Sequence, residues 1–90
     1  MGGDTMSEES VKQFLRYPSA PLVEFALTLA NLTWQEEEVI RLCGLRGMTQ
    51  EVAAERMDRS VDSVQKWYRS AILKLSVAWS HCSWINKILQ

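Results

Sequence analysis

The sequence predicts an all-α fold: a tri-helical helix-turn-helix core with extra N-terminal helices and a long C-terminal helix. Apolar residues recur at the three- and four-residue spacing of an α-helix along most of the chain. No segment alternates apolar and polar residues over more than a few positions, as a half-buried strand would. The chain has 90 residues, of which 47% are hydrophobic and 23% charged, a composition typical of one small globular domain. We therefore expect about five or six helices.

Residues 1–31 are predicted to form an N-terminal helical extension. Ser7 is placed to cap a short helix over residues 7–16. The run Tyr17-Pro18-Ser19-Ala20-Pro21 ends that helix, because proline lacks a backbone N–H and restricts the residue before it. A second helix is expected from Pro21, which suits a first turn, to Ala30.

The next helix is marked by Thr33 and Glu36, which have the spacing of a capping box. Apolar residues then follow at helical spacing from Trp34 to Gly44, and Gly47 is a second stop signal. We interpret the acidic run 36–38 as a solvated first turn whose charges complement the helix dipole.

Two helices separated by a short turn come next. Thr49 is placed to cap a helix of two turns, Asp58-Arg59 forms the turn, and Ser60 caps a longer helix. This is the layout of a helix-turn-helix, in which the two helices cross steeply. Ala54 supplies the small side chain that such a crossing needs, and Asp58 tolerates the left-handed backbone of the turn.

The segment 32–75 resembles region 4 of bacterial RNA polymerase sigma factors, and also the related DNA-binding domain of LuxR-type response regulators. The resemblance rests on Leu32-Thr33-x-x-Glu36-x-x-Val39-Ile40-x-Leu42, Gly47-x-Thr49, Ala53-Ala54-x-x-Met57, Ser60-x-x-Ser63-Val64 and Ala71-x-x-Lys74-Leu75. It implies a module that binds duplex DNA and contacts the flap of RNA polymerase. Since residues 1–31 match no sigma region, we expect a sigma-like regulator, such as one from a phage or mobile element, rather than a complete sigma factor.

The candidate DNA contacts lie on and before the second helix of the pair. With Val64 at the centre of the buried side, Asp62, Lys66 and Arg69 fall on the opposite side. A glutamine such as Gln65 can pair with adenine, an aspartate such as Asp62 can accept from the cytosine amino group, and Val61 can contact a thymine methyl group. The basic residues, Lys74 among them, would neutralise phosphates. A solvated helix face is the alternative interpretation. We predict DNA contacts from Arg59, Ser60, Val61, Asp62, Gln65, Lys66 and Arg69.

The composition argues against other functions. His81 is the sole histidine, and it lacks the nearby nucleophile and orienting group that a catalytic histidine needs. The sequence has no glycine-rich phosphate loop. The acidic run 36–38 has no partner residues with which to form a metal site. We expect no enzyme activity, no cofactor and no metal site. Cys43 and Cys82 are predicted to be free thiols. Without a secretion signal or an apolar span of membrane length, a cytoplasmic protein is expected.

Charge and aromatic residues leave two classes of function open. The net charge is −1, but residues 59–90 carry five basic residues against Asp62 alone. A transcriptional regulator that binds duplex DNA is the first class. The alternative is a helical adaptor that binds RNA polymerase or acts in phage packaging, without specific DNA binding. The Trp and Tyr residues follow helical spacing, which favours core positions over base stacking.

Residues 76–90 are predicted to be a C-terminal helical extension. If the helix from Ser60 continues to the end, a second apolar stripe forms, consisting of Leu73, Val77, Trp84 and Ile88. A symmetric homodimer would bury that stripe, and we favour this arrangement. The alternative is a break near Ser80, after which residues 83–89 fold back over Leu73 and Val77.

Overall fold

The computed structural model of the chain describes residues 6–89. Within them it has no strand, which confirms the all-α prediction. Its helices are α1 (Glu8–Leu15), α2 (Ala20–Thr28), α3 (Trp34–Val39), α4 (Gln50–Met57), α5 (Val61–Ser80) and α6 (Ser83–Leu89), and α3 continues directly into a π-helical segment at Ile40–Leu45.

The predicted helix starts are confirmed. The side chains of Ser7, Thr33, Thr49 and Ser60 each accept a hydrogen bond from the backbone N–H three residues later, at 3.1–3.3 Å. Each bond satisfies one backbone donor that has no partner inside the helix. The capping box is also present, because the backbone N–H of Thr33 donates to Glu36 Oε1 at 2.9 Å.

Two hydrophobic clusters hold the helices together, and α5 contributes to both. The smaller, which we call the HTH core, joins α3, its π-helical continuation, α4 and the start of α5 through Val39, Leu42, Ala53, Ala54 and Val64. The larger, which we call the terminal core, packs α1, α2 and α6 on the second half of α5 and includes Phe14, Val23, Leu27, Leu75, Trp79 and Ile85. Tyr68 is half-buried and contacts both clusters. Helices α1, α2 and α6, which lie outside the predicted tri-helical core, therefore supply seven of the eighteen buried apolar side chains of the described residues.

Trp79 is the centre of the terminal core. It is fully buried, its indole Nε1–H donates to the Ala26 carbonyl at 2.8 Å, and its ring lies edge-on to Phe14 with centroids 5.0 Å apart. This satisfies the one polar atom of a large buried aromatic side chain. The prediction that aromatic residues occupy the core is confirmed for Trp79 but wrong for Trp34, whose side chain at the first turn of α3 is 65% exposed.

The prediction that the helix from Ser60 continues to the C-terminus is wrong. Helix α5 ends at Ser80, and α6 turns back so that Trp84 lies against Phe14 and Phe25, with ring centroids 6.2 and 6.1 Å apart. Ile88 also packs on the terminal core, whereas Leu73 and Val77 stay 65% and 44% exposed. The stripe proposed for a homodimer is therefore divided between the core and the surface.

The fold-back alternative is correct only in part. The chain does break after Ser80, but α6 packs on α1 and α5, with Trp84 beside Phe25 of α2, and leaves Leu73 and Val77 uncovered by the described residues. Burial of the apolar side chains of α6 in the terminal core explains this direction, because Ile85 becomes fully buried there.

Cys43 and Cys82 are free, as predicted, but both are half-buried rather than buried. Burial raises the pKa of the Cys43 thiol, so the reactive thiolate form is disfavoured. Of the helices in residues 6–89, none combines the length and apolar character that crossing a membrane requires.

Candidate nucleic-acid interface

Helix α4 and the start of α5 form the pair of helices predicted from the sequence. Ala54 on α4 is 5% exposed and packs with Val64 of α5 in the HTH core. A larger side chain at this position would hold the helices apart, so the small alanine allows their close approach. The predicted role of Ala54 at the helix crossing is confirmed.

The turn between α4 and α5 has the geometry expected of it. Asp58 adopts the left-handed conformation, with φ 56° and ψ 46°. The Arg59 N–H donates to the Ala54 carbonyl at 3.0 Å, which closes the end of α4 in the manner of a Schellman motif. Ser60 follows in extended conformation and starts α5.

A polar face of α5 lies opposite its buried side. Val64 is fully buried, whereas Asp62, Gln65, Lys66 and Arg69 are exposed. At 100° per residue, Asp62, Lys66 and Arg69 lie within about 60° of one another. We call these four exposed residues the polar face of α5.

All seven residues predicted from the sequence are exposed. Arg59, Ser60 and Val61 precede the polar face at the N-terminus of α5. Among the described residues, the four charged side chains Arg59, Asp62, Lys66 and Arg69 form no salt bridge. The Ser60 hydroxyl is already engaged, since it caps α5 and lies 3.1 Å from the Ser63 hydroxyl and 3.2 Å from the Ser63 amide. The structure thus brings the predicted residues to one end of α5 and leaves their charges available to a ligand.

A shallow concavity runs along the polar face of α5. It has a volume of about 430 Å³, and the four residues of the polar face line it together with Ser70 and Leu73. Its opening toward solvent suits an extended macromolecular surface better than a small molecule, because small-molecule sites enclose most of their ligand.

Lys74 is not placed with these residues. Its ammonium group lies 2.8 Å from Glu36 Oε1, on the side of α5 that faces α3. The suggestion that Lys74 neutralises a phosphate is therefore not supported by its position. The interpretation of residues 36–38 as a solvated turn is also wrong for Glu36, which is buried, although Glu38 is exposed.

Comparison with known families identifies this arrangement. The family model described as sigma-70, region 4 matches residues 22–75, which is more than half of the chain. The chain belongs to the sigma-70 region 4 family. The match starts earlier than the sequence motifs indicated and includes most of α2. Searches of curated proteins and of solved structures gave no match.

The region 4 domain carries a second charged feature that the sequence analysis missed. Arg41 on the π-helical segment bonds to both carboxylate oxygens of Glu24, at 2.5 and 2.7 Å, and to Glu37 at 2.7 Å. The charged hydrogen bonds to Glu24 and Glu37 raise the pKa of Arg41. This network joins α2 to α3 across a sequence distance that no local pattern reveals.

Beside Arg41, the region 4 domain has an open cleft of about 480 Å³. Leu42 and Leu45 contribute apolar surface to it, and Arg46 and Arg56 are exposed there without a salt bridge among the described residues. The two arginines are ten positions apart on different elements, so neither helical spacing nor a motif connects them in the sequence. Within residues 6–89, no group of three or more His, Cys, Asp or Glu side chains could hold a metal ion.

Proposed function

We propose that this chain is a transcriptional regulator that binds duplex DNA by inserting the first half of α5 into the major groove. The observation that carries the proposal is the polar face of α5. Its charged side chains are exposed and unpaired among the described residues, and it lies opposite the anchor Val64. Membership of the sigma-70 region 4 family supports the same assignment. Such a protein has no catalytic role and works in the bacterial cytoplasm, where the DNA is.

The residues have different tasks in this proposal. Gln65 and Asp62 contact base edges, since an amide pairs with adenine and a carboxylate accepts from the cytosine amino group. Val61 contacts a thymine methyl group, whereas Arg59, Lys66 and Arg69 neutralise phosphates. The Ser60 hydroxyl mainly keeps α5 capped, and the N-terminal end of the helix dipole adds attraction for a phosphate.

Fluorescence anisotropy with labelled duplex DNA tests the proposal. The duplex is first selected from a library with a randomised centre, and affinity is then measured over a range of salt concentrations. Three cationic contacts predict a slope of about −3 for log affinity against log salt. Salt-independent binding, or the absence of duplex binding, would refute a DNA-binding function.

Point variants separate the tasks. Lys66→Ala and Arg69→Ala should each weaken binding to all sequences and reduce the magnitude of the salt slope by about one. Gln65→Ala should instead relax base preference at one position, at a cost of about 1–3 kcal/mol. Lys87→Ala on α6 is the matched control, because it removes an exposed cation distant in sequence from the polar face.

The cleft beside Arg41 favours a second candidate function, docking on RNA polymerase. The cleft is lined by Leu42, Leu45, Glu24 and Glu38 as well as by arginines. Glu24 is paired with Arg41, whereas Arg46 and Arg56 form no salt bridge among the described residues and fit a partner surface that carries acidic side chains. In this case Arg46→Ala and Arg56→Ala would weaken binding to purified bacterial core polymerase and leave duplex affinity unchanged. Binding to polymerase with no affinity for duplex DNA would favour the adaptor over the regulator.

A further inference from the structure

Glu36 forms a polar junction between the start of α3 and the middle of α5. Its side chain is 6% exposed. Glu36 Oε1 accepts from the Thr33 N–H at 2.9 Å and from Lys74 Nζ at 2.8 Å, and Oε2 accepts from the Ser70 hydroxyl at 2.5 Å. Ser70 and Lys74 are one turn apart on α5, so a single carboxylate holds two successive turns of that helix.

The other contacts of α5 with α3 and α4 are apolar and less directional. In the HTH core, α5 contributes Val64, which packs with Ala53 and Ala54, and the partly buried Trp67 and Tyr68. Apolar packing favours burial but has no preferred direction, so it specifies the rotation of a helix about its axis less sharply than hydrogen bonds do. A buried hydrogen-bonded charge specifies that rotation, because any displacement leaves a polar group without its partner.

We infer that Glu36 is a positioning residue for DNA recognition, which acts through Ser70 and Lys74 to set the rotation of α5. The inference rests on the proposed function. Gln65, Lys66 and Arg69 directly precede Ser70 on the same helix, so the junction fixes the direction in which they project. At a side-chain radius of about 5–6 Å, a rotation of 20° moves these groups by about 2 Å. Such a shift breaks a bidentate contact with a base edge, whereas flexible basic side chains still reach phosphates.

The test compares base preference with overall affinity. Wild type, Glu36→Gln and Ser70→Ala are each used to select duplexes from the same randomised library, at a temperature and pH where circular dichroism shows each protein folded. We expect both variants to lose about fivefold or more of their preference at the bases that Gln65 and Asp62 contact. Their salt slopes should stay within about half a unit of the wild-type value, since the phosphate-binding cations are unchanged.

Lys74 provides a rescue experiment and a control for direct DNA contact. Lys74→Met should reduce base preference in the same way, and Lys74→Arg should restore it, because arginine keeps a cation within reach of the carboxylate. If Lys74 bound a phosphate itself, Lys74→Met would lower the salt slope by about one, which would contradict the inference. Glu24→Gln is the matched carboxylate control, since its partner Arg41 lies outside α5.

The outcomes distinguish this inference from the proposed function. If wild type selects a preferred duplex and folded Glu36→Gln and Ser70→Ala select the same one with equal preference, Glu36 is only a stabilising residue. If Glu24→Gln alters base preference as strongly as Glu36→Gln, the effect is not specific to the junction and the inference is wrong. If wild type binds no duplex, the proposed function fails and the positioning role fails with it.

Discussion

Replacement of Glu36 by glutamine should remove a large part of the stability of this small domain at neutral pH. Burial alone would raise the pKa of Glu36, but the hydrogen bonds from Lys74, Ser70 and the Thr33 amide outweigh it and lower the pKa from 4.5 to about 2. The folded state therefore favours the ionised carboxylate, which the neutral amide of glutamine cannot replace. A difference of this size between the folded and unfolded states corresponds to about 3 kcal/mol.

The same pKa difference predicts how the effect depends on pH. As the pH falls, the unfolded chain binds a proton at Glu36 near pH 4.5, whereas the folded protein does so only near pH 2. The contribution of Glu36 to stability is therefore complete above about pH 5 and is lost as the pH falls toward 2. Between wild type and Glu36→Gln, the difference in unfolding free energy should shrink from about 3 kcal/mol at pH 7 to about 1 kcal/mol at pH 2.5.

Urea denaturation followed by tryptophan fluorescence measures this difference. Trp79 is fully buried and reports on the terminal core. With a slope of about 1 kcal/mol per molar urea, a loss of about 3 kcal/mol in Glu36→Gln should lower the unfolding midpoint at pH 7 by about 3 M. Glu24→Gln, which breaks an exposed pair with Arg41, should cost only about 0–1 kcal/mol. Equal midpoints for wild type and Glu36→Gln at pH 7, or a difference that stays constant down to pH 2.5, would refute the reasoning.

Three further predictions concern the turn, the terminal core and the oligomeric state. Asp58→Gly should stabilise the protein by about 0.5–1 kcal/mol in urea denaturation, because glycine adopts the left-handed conformation at φ 56° without strain; a loss of stability would contradict this. A fragment of residues 32–75 should show little helical circular dichroism, since it lacks Phe14, Trp79 and most of the terminal core; a cooperatively folded fragment would show that the HTH core suffices. In sedimentation equilibrium the whole chain should have a mass of about 10 kDa, because Leu73 and Val77 alone offer far less area than a stable interface needs. Trp84→Ala should lower stability by about 2 kcal/mol and leave that mass unchanged. If wild type is instead a dimer and Trp84→Ala dissociates it, the homodimer prediction is correct and this one is wrong.

Local features of the fold could be predicted because their causes lie within a few residues. Each cap involves a side chain and a backbone amide three positions apart, so Thr33 with Glu36 and Ser60 with Ser63 are visible in the sequence. The left-handed Asp58 follows from the short turn between two helical patterns. The exposed side of α5 follows in turn from the position of Val64 in the apolar stripe.

Features that depend on distant contacts could not be predicted. The capping box distinguishes Glu36 from Glu38 at the start of α3, but nothing local shows that Glu36 is buried against α5. Its partners Ser70 and Lys74 lie 34 and 38 positions away. Gly44 was predicted to end a helix, but the helical segment continues to Leu45. A Cβ atom at Gly44 would lie 2.9 Å from Leu15 Cδ1, so close approach of α1 explains the glycine.

The break between α5 and α6 is another long-range effect. The segment 80–83 contains two serines and no proline, so its sequence permits either a continuous helix or a turn. Burial of Ile85 and partial burial of Trp84 against α1 and α2 favour the turn. The apolar stripe within residues 73–88 does not show that Trp84 and Ile85 can be buried against α1 and α2. A prediction based on that stripe alone could therefore not foresee the turn.

The division of the apolar side chains into two cores has a consequence for the proposed DNA recognition. The polar face of α5 lies beside the small HTH core, but the same helix is fixed at its other end by Leu75 and Trp79 in the terminal core. An α-helix transmits a displacement along its length because its backbone hydrogen bonds are continuous. The orientation of the polar face therefore depends on helices outside the helix-turn-helix, and the Glu36 junction lies between the polar face and the terminal core. Terminal helices that make no DNA contact in the proposed function thus help to determine whether the base-contacting residues project correctly.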